Sequence, residues 1–83
     1  MPEVSEIIEY KNIHSYLEAR GLLKQYQKAK QILLSGDWDR VRFKEREPQN
    51  SGIWYFRINK KFRARGIFLT NGKFAVSGID NHQ

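Results

Sequence analysis

Residues 51–68, SGIWYFRINKKFRARGIF, decide how this chain folds. In Ile53 to Ile58 the side chains of Trp54, Phe56 and Ile58 share one face, while Tyr55 and Arg57 share the other. That period of two belongs to a strand with one face buried and one in water. Asn59-Lys60-Lys61 turns the chain, and the alternation resumes with Phe62, Ala64, Gly66 and Phe68 inward and Arg63 and Arg65 outward. The block therefore predicts two antiparallel strands whose polar face carries Tyr55, Arg57, Arg63 and Arg65 side by side.

Reading forward, Thr70-Asn71-Gly72-Lys73 predicts a hairpin, because Asn-Gly tolerates the positive φ of a type I′ turn. A last strand over FAVSGI follows, running out into Asp80, Asn81, His82 and Gln83. Reading backward, PQNSG is loop chemistry, and before it RVRFKERE alternates Val41 and Phe43 with Arg40, Arg42, Lys44 and Arg46. This predicts a half-buried antiparallel strand with a row of cations on its polar face.

Before Gly36 the period is helical. Leu23, Tyr26, Ala29 or Lys30, Ile32 and Leu33 form one apolar stripe closed by Ser35-Gly36, with Lys24, Lys28 and Lys30 on the solvated side. A shorter helix precedes it, with Asn12 as N-cap, Ile13, Tyr16 and Leu17 on one face, and Gly21 at its end. Ser5 to Glu9 reads equally as a first strand or as a helical extension. The expected architecture is α+β: a helical hairpin on one face of an antiparallel sheet of three or four strands, in a single domain over 1–83. Trp54 is expected in the core and Trp38 as a cover for it or a partner contact, and His14 is given no role.

The chain has 83 residues, 40% hydrophobic content and no cysteine, which excludes a disulfide framework and a thiolate zinc site. Neither histidine has companion carboxylates at ligand spacing, so no metal and no cofactor are expected. No stretch approaches a membrane span or a signal peptide, and a cytoplasmic protein is expected. The net charge of +6 divides unevenly: residues 1–39 carry five Lys/Arg against six Asp/Glu, and residues 40–83 carry ten against three. An excess confined to one half is the footprint of a polyanionic partner, nucleic acid or an acidic protein.

The order helical hairpin, basic strand, SGIWYFRINKKFRARGIF, NGKF and a final strand ending in IDNHQ resembles the RelE/ParE superfamily of toxins from type II toxin–antitoxin pairs. Trp54 to Ile58 matches the family's aromatic strand with its Arg–apolar step, and Phe62-Arg63 its aromatic–Arg pair after the turn. His82 stands where the YoeB-like branch has a terminal histidine. The resemblance implies a ribosome-dependent endoribonuclease cutting mRNA in the decoding site, an acidic, partly disordered antitoxin, and promoter DNA bound only through the complex with that antitoxin. It also admits a non-enzymatic ParE-like toxin that binds DNA gyrase, or an inactive basic module that binds nucleic acid or protein.

Metal-free RNA cleavage uses the substrate's 2′-hydroxyl as nucleophile and needs a base, an acid for the leaving oxygen, and cations on the phosphorane. His82 has the pKa for either proton-transfer role, and Arg63 with Arg65 can hold a phosphate. Glu45 and Glu47, flanking Arg46, are the carboxylates available as base, a role that surrounding cations oppose. Arg40, Arg42, Lys44, Arg46, Tyr55, Arg57 and Arg65 are expected to contact RNA, with Lys60 and Lys61 on ribosomal-RNA phosphates. The family often ends in tyrosine where this chain has Gln83, so either Tyr55 takes over base stacking or the substrate sits differently.

Overall fold

A computed structural model of the protein describes residues 3–70 and 72–81. The sheet has five strands, β1 (Glu6–Glu9), β2 (Lys44–Glu45), β3 (Ile53–Arg57), β4 (Phe62–Thr70) and β5 (Lys73–Asn81), in the order β1-β5-β4-β3-β2. Helices α1 (Ile13–Ala19) and α2 (Leu23–Leu34) lie between β1 and β2 in the chain. The α+β class is as expected. The sheet is larger than the three or four strands expected and is not wholly antiparallel, because β1 runs parallel to β5.

The ambiguity over Ser5 to Glu9 resolves to a strand, for local reasons. Asn12 has φ +79, which breaks a helix ahead of Ile13, and its side chain makes no capping bond. The N–H groups of Ser5 and Glu6 donate to the Gly72 carbonyl at 2.8 and 3.0 Å, and Tyr10 N–H donates to Val76 O at 3.0 Å. Ile7 then faces the core while Ile8 pairs with Ala75 on the opposite face. Two adjacent isoleucines fit this strand because both faces of the sheet are apolar at that end.

The segment around Val41 differs from expectation. Trp38–Val41 is a 3₁₀ turn, Arg42 adopts φ +52, and only Lys44–Glu45 pairs as a strand. Val41 and Phe43 are both buried, as their i, i+2 spacing predicted, but a tight turn ended by a left-handed residue produces that spacing. Arg40, Arg42, Lys44 and Arg46 are exposed without forming one pleated row. The turn carries Phe43 onto Trp54, ring centres 5.0 Å apart and nearly parallel.

The core lies between the helices and the sheet. Ile13, Leu17, Tyr26, Ala29 and Leu33 meet Phe56, Ala64, Phe74 and Val76, each at most 6% exposed, and Trp54 and Trp38 pack partly buried against this cluster. Gly66 is required within it, since a Cβ there would stand 2.1 Å from the Ala75 carbonyl. No helix among the described residues is long and apolar enough to cross a membrane.

β5 contains the irregularity on which the outer face depends. Arg63 pairs with Asp80 and Arg65 with Gly78, but Gly66 pairs with Val76, so Ser77 is an extra residue in a β-bulge. Its hydroxyl donates to Arg65 O at 3.4 Å. The bulge shifts the phase of β5: Phe74 and Val76 face the core, and Ile79 rather than Gly78 does so beyond it. Gly78 and Asp80 are thereby turned outward beside Arg65 and Arg63.

Tyr26 ties α2 to β1, donating to Glu9 Oε2 at 2.6 Å, while Lys30 Nζ reaches the same oxygen at 3.0 Å. Burial pushes the phenol above its ordinary range, and the hydrogen bond and charge of Glu9 add to the effect. The folded chain keeps this proton where an unfolded tyrosine loses it. Its contribution is complete below about pH 10 and declines above it by about 1.4 kcal/mol per pH unit. Tyr26→Phe should cost about 1–2 kcal/mol at neutral pH. In urea unfolding the gap between variant and wild type should shrink as pH rises past about 10, and a gap independent of pH would contradict this assignment.

Candidate functional site

The helix-free face of the sheet changes character along its strands. At one end Ile8, Ala75, Ile67 and Ile53 line up in register across β1, β5, β4 and β3. At the other, Tyr55 pairs with Arg65 and Arg57 with Arg63. An open cleft of about 570 Å³ lies at this second end, lined by Arg46, Glu47, Tyr55, Arg63, Arg65, Asp80 and Asn81. Strand pairing supplies Tyr55, the two arginines and Asp80. Arg46 is anchored where β2 ends, its N–H donating to Ile53 O at 2.7 Å.

The two β4 arginines are held differently. Arg65 Nε donates to Asp80 Oδ2 at 3.0 Å, with the side chains 34% and 45% exposed, so the pair contributes at most about 1 kcal/mol to stability. Its chief effect is orientation: the guanidinium lies over Gly78, where a Cβ would stand 2.1 Å from Nη2. Arg63 is not paired with a carboxylate among the described residues. Its Nη1 is buried with no hydrogen-bond partner among them, and its guanidinium carbon is 6.0 Å from the centre of the Tyr55 ring. Lys44 Nζ approaches the same ring to 5.7 Å.

An unsatisfied guanidinium N–H is costly and is relieved by an anionic oxygen. The cleft therefore combines Arg63, whose buried Nη1 has no partner among the described residues, an oriented cation at Arg65, a third cation at Arg46 and an aromatic ring with two cations near its face. Such an arrangement can take a phosphodiester with an adjoining base. Glu47 adds a carboxylate to the lining, and among the described residues no three acidic or histidine side chains converge to hold a metal ion.

Of the residues singled out from the sequence, the cleft gathers Arg46, Glu47, Tyr55, Arg63 and Arg65, with Lys44 beside Tyr55. Glu45 does not line it: its carboxylate accepts the Gly52 N–H at 3.0 Å and secures the loop before β3. Arg40, Arg57 and Lys60 line a different pocket, because Arg57 Nε donates to Asn59 O at 3.1 Å and turns away from Arg63. Arg42 and Lys61 are exposed and line neither. His82 and Gln83 lie outside the described residues, as does Asn71 of the hairpin turn. Sequence reasoning ran the last strand out into Asp80 and Asn81 but gave neither a role of its own in the cleft. The signal was the spacing of Val76 from Ile79, three apart across Ser-Gly, which demands a change of phase.

No protein-family model, curated protein or solved structure matches the chain.

Gly78→Ala should keep the fold at a cost under about 1 kcal/mol, since the arginine tip can move aside. It should shift the Arg65 Nε–H resonance about as far as Asp80→Asn does. An Arg65 resonance untouched by Gly78→Ala would contradict the described orientation.

Proposed function

We propose that this chain is the toxin of a type II toxin–antitoxin pair and cuts mRNA on the ribosome without a metal. The observation that carries the reading is Arg63, whose Nη1 has no partner among the described residues, in a cleft it shares with Arg65, Arg46 and Tyr55. The resemblance of SGIWYFRINKKFRARGIF and of the terminal IDNHQ to RelE/ParE toxins supports it.

In this mechanism the substrate's 2′-oxygen attacks the adjacent phosphorus. The bond from phosphorus to the 5′-oxygen breaks, leaving a 2′,3′-cyclic phosphate and a 5′-hydroxyl. The 2′ proton passes to a base and the leaving oxygen receives one from an acid. Arg63 and Arg65 bind the non-bridging oxygens and stabilise the extra charge of the phosphorane. Tyr55 stacks on the base beside the scissile bond. Of the two carboxylates lining the cleft, Asp80 is engaged by Arg65 and Glu47 is the one available as base, in place of Glu45, and His82 takes the other proton-transfer role. The acidic, partly disordered antitoxin would neutralise the basic half of the chain, and promoter DNA would be bound through that complex.

Induction in growing cells with mapping of mRNA ends tests the reading. Wild type should arrest growth and produce cuts inside translated messages. Arg63→Ala should lower cleavage by about 10²–10³-fold, the usual effect of removing one preorganised group on developing charge. His82→Ala should abolish it in a chain that stays folded. Growth arrest with intact mRNA would overturn the nuclease reading and turn attention to gyrase. No arrest at all would mark a binding module.

A further inference from the structure

A second pocket, of about 400 Å³, opens between α2, the 3₁₀ turn and the β3–β4 turn. Its floor is aliphatic: Ala29, Val41 and Ile58 are buried, and Ile32 is partly so. Its rim is cationic, with Lys28, Arg40 and Lys60 exposed and Arg57 half-buried. Among the described residues no carboxylate lines it. Asp37 meets Arg40 at 3.8 Å with both side chains exposed, so the pair is weak and the rim keeps its charge.

The wall of this pocket is fixed in advance. Asn59 Oδ1 accepts the N–H groups of Lys61 and Phe62 at 2.8 and 2.9 Å, closing the turn that presents Lys60. Asn59 Nδ2 donates to Gln25 Oε1 at 2.8 Å, fastening that turn to α2. Arg57 Nε donates to Asn59 O, which orients the fourth cation. A wall already ordered in the free protein saves a partner part of the ordering entropy of binding.

We propose that this pocket docks an acidic peptide segment of a protein partner, with an aliphatic side chain on the floor and carboxylates on the rim. Charge complementarity identifies the occupant, because four cations surround the pocket and no anion lines it. The aliphatic floor separates a peptide from nucleic acid. A single-stranded base seeks an aromatic platform, and no aromatic side chain lines this pocket; phosphate contacts alone leave a buried aliphatic floor without purpose. The acidic occupant is the class of partner that the toxin–antitoxin reading implies, and the proposal rests on that part of the reading in giving it a place; it does not depend on nuclease activity, since none of these residues lines the Arg63 cleft. Arg57, on the rim of this pocket, pairs in register with Arg63 of the cleft, so the two sites share the β3–β4 ladder.

The test is fluorescence anisotropy with the full chain near physiological salt. The probe is a short fluorescein-labelled peptide of Glu and Asp around a Leu-Leu pair, compared with the same peptide carrying Ser-Ser. The leucine peptide should bind at least about five-fold more tightly, the worth of partial burial of one aliphatic side chain. The double variant Lys28→Glu, Lys60→Glu should weaken it about ten-fold or more, whereas Arg42→Glu, an exposed cation outside both pockets, should change it less than about two-fold. Amide resonances of Ala29, Ile58 and Asn59 should shift on binding. Equal affinity for the two peptides, equal loss with Arg42→Glu, or shifts centred on Tyr55 and Arg63 would overturn the proposal. So would a single-stranded oligonucleotide of equal charge binding this pocket more tightly than the peptide.

Discussion

The extra residue at Ser77 is the constraint from which the outer face of this protein follows. A strand that alternated strictly from Phe74 would turn Gly78 and Asp80 into the core and Ile79 into water. The bulge reverses that phase, so three apolar side chains of β5 stay inside on both sides of it while Asp80 emerges opposite Arg63 and within reach of Arg65. Gly78, lacking a Cβ, then lets the Arg65 guanidinium lie flat on the sheet. Bulges commonly re-aim side chains in this way beside binding sites. Here one unpaired residue determines which groups face the cleft and leaves Arg63, unlike its β4 neighbour Arg65, without an anionic partner among the described residues.

β3, β4, α1 and α2 were legible because their apolar periods are unbroken. The alternation of Trp54, Phe56 and Ile58, and of Phe62, Ala64, Gly66 and Phe68, placed Tyr55, Arg63 and Arg65 on one face without any knowledge of the partners of these strands. Less legible was whatever depended on tertiary pairing or on a single dihedral. Val41 and Phe43 looked like strand positions because an i, i+2 spacing cannot tell a pleat from a 3₁₀ turn closed by Arg42 at φ +52. Ser5 to Glu9 stayed ambiguous because its strand is made by a parallel partner far along the chain, and Ile7-Ile8 satisfies two apolar faces at once. Asp80 was hidden by the bulge, and the departure of Arg57 from its neighbours follows from a backbone carbonyl two residues away.

Six of the ten cations of the second half line two differently built sites. One is a cleft on the helix-free face, with an aromatic ring, two β4 arginines and carboxylates in its wall. The other is a cationic pocket with an aliphatic floor, braced by Asn59. A shared basic character therefore conceals unequal chemistry: the first site offers an aromatic ring beside its arginines, and the second an aliphatic floor beneath its cations. Arg57 and Arg63, opposite one another in the β3–β4 ladder, belong to different sites because one is turned aside by Asn59 and the other is not.

In the proposed function Arg63 and Arg65, rather than the basic half as a whole, form the anion site. The most direct measurement follows the arginine Nε–H resonances while a 2′-deoxy trinucleotide, which cannot be cleaved, is titrated into the protein. Arg63 and Arg65 should shift together at the lowest concentrations, and Arg57 should follow only later. Arg57 moving first, with Arg63 unchanged, would contradict it.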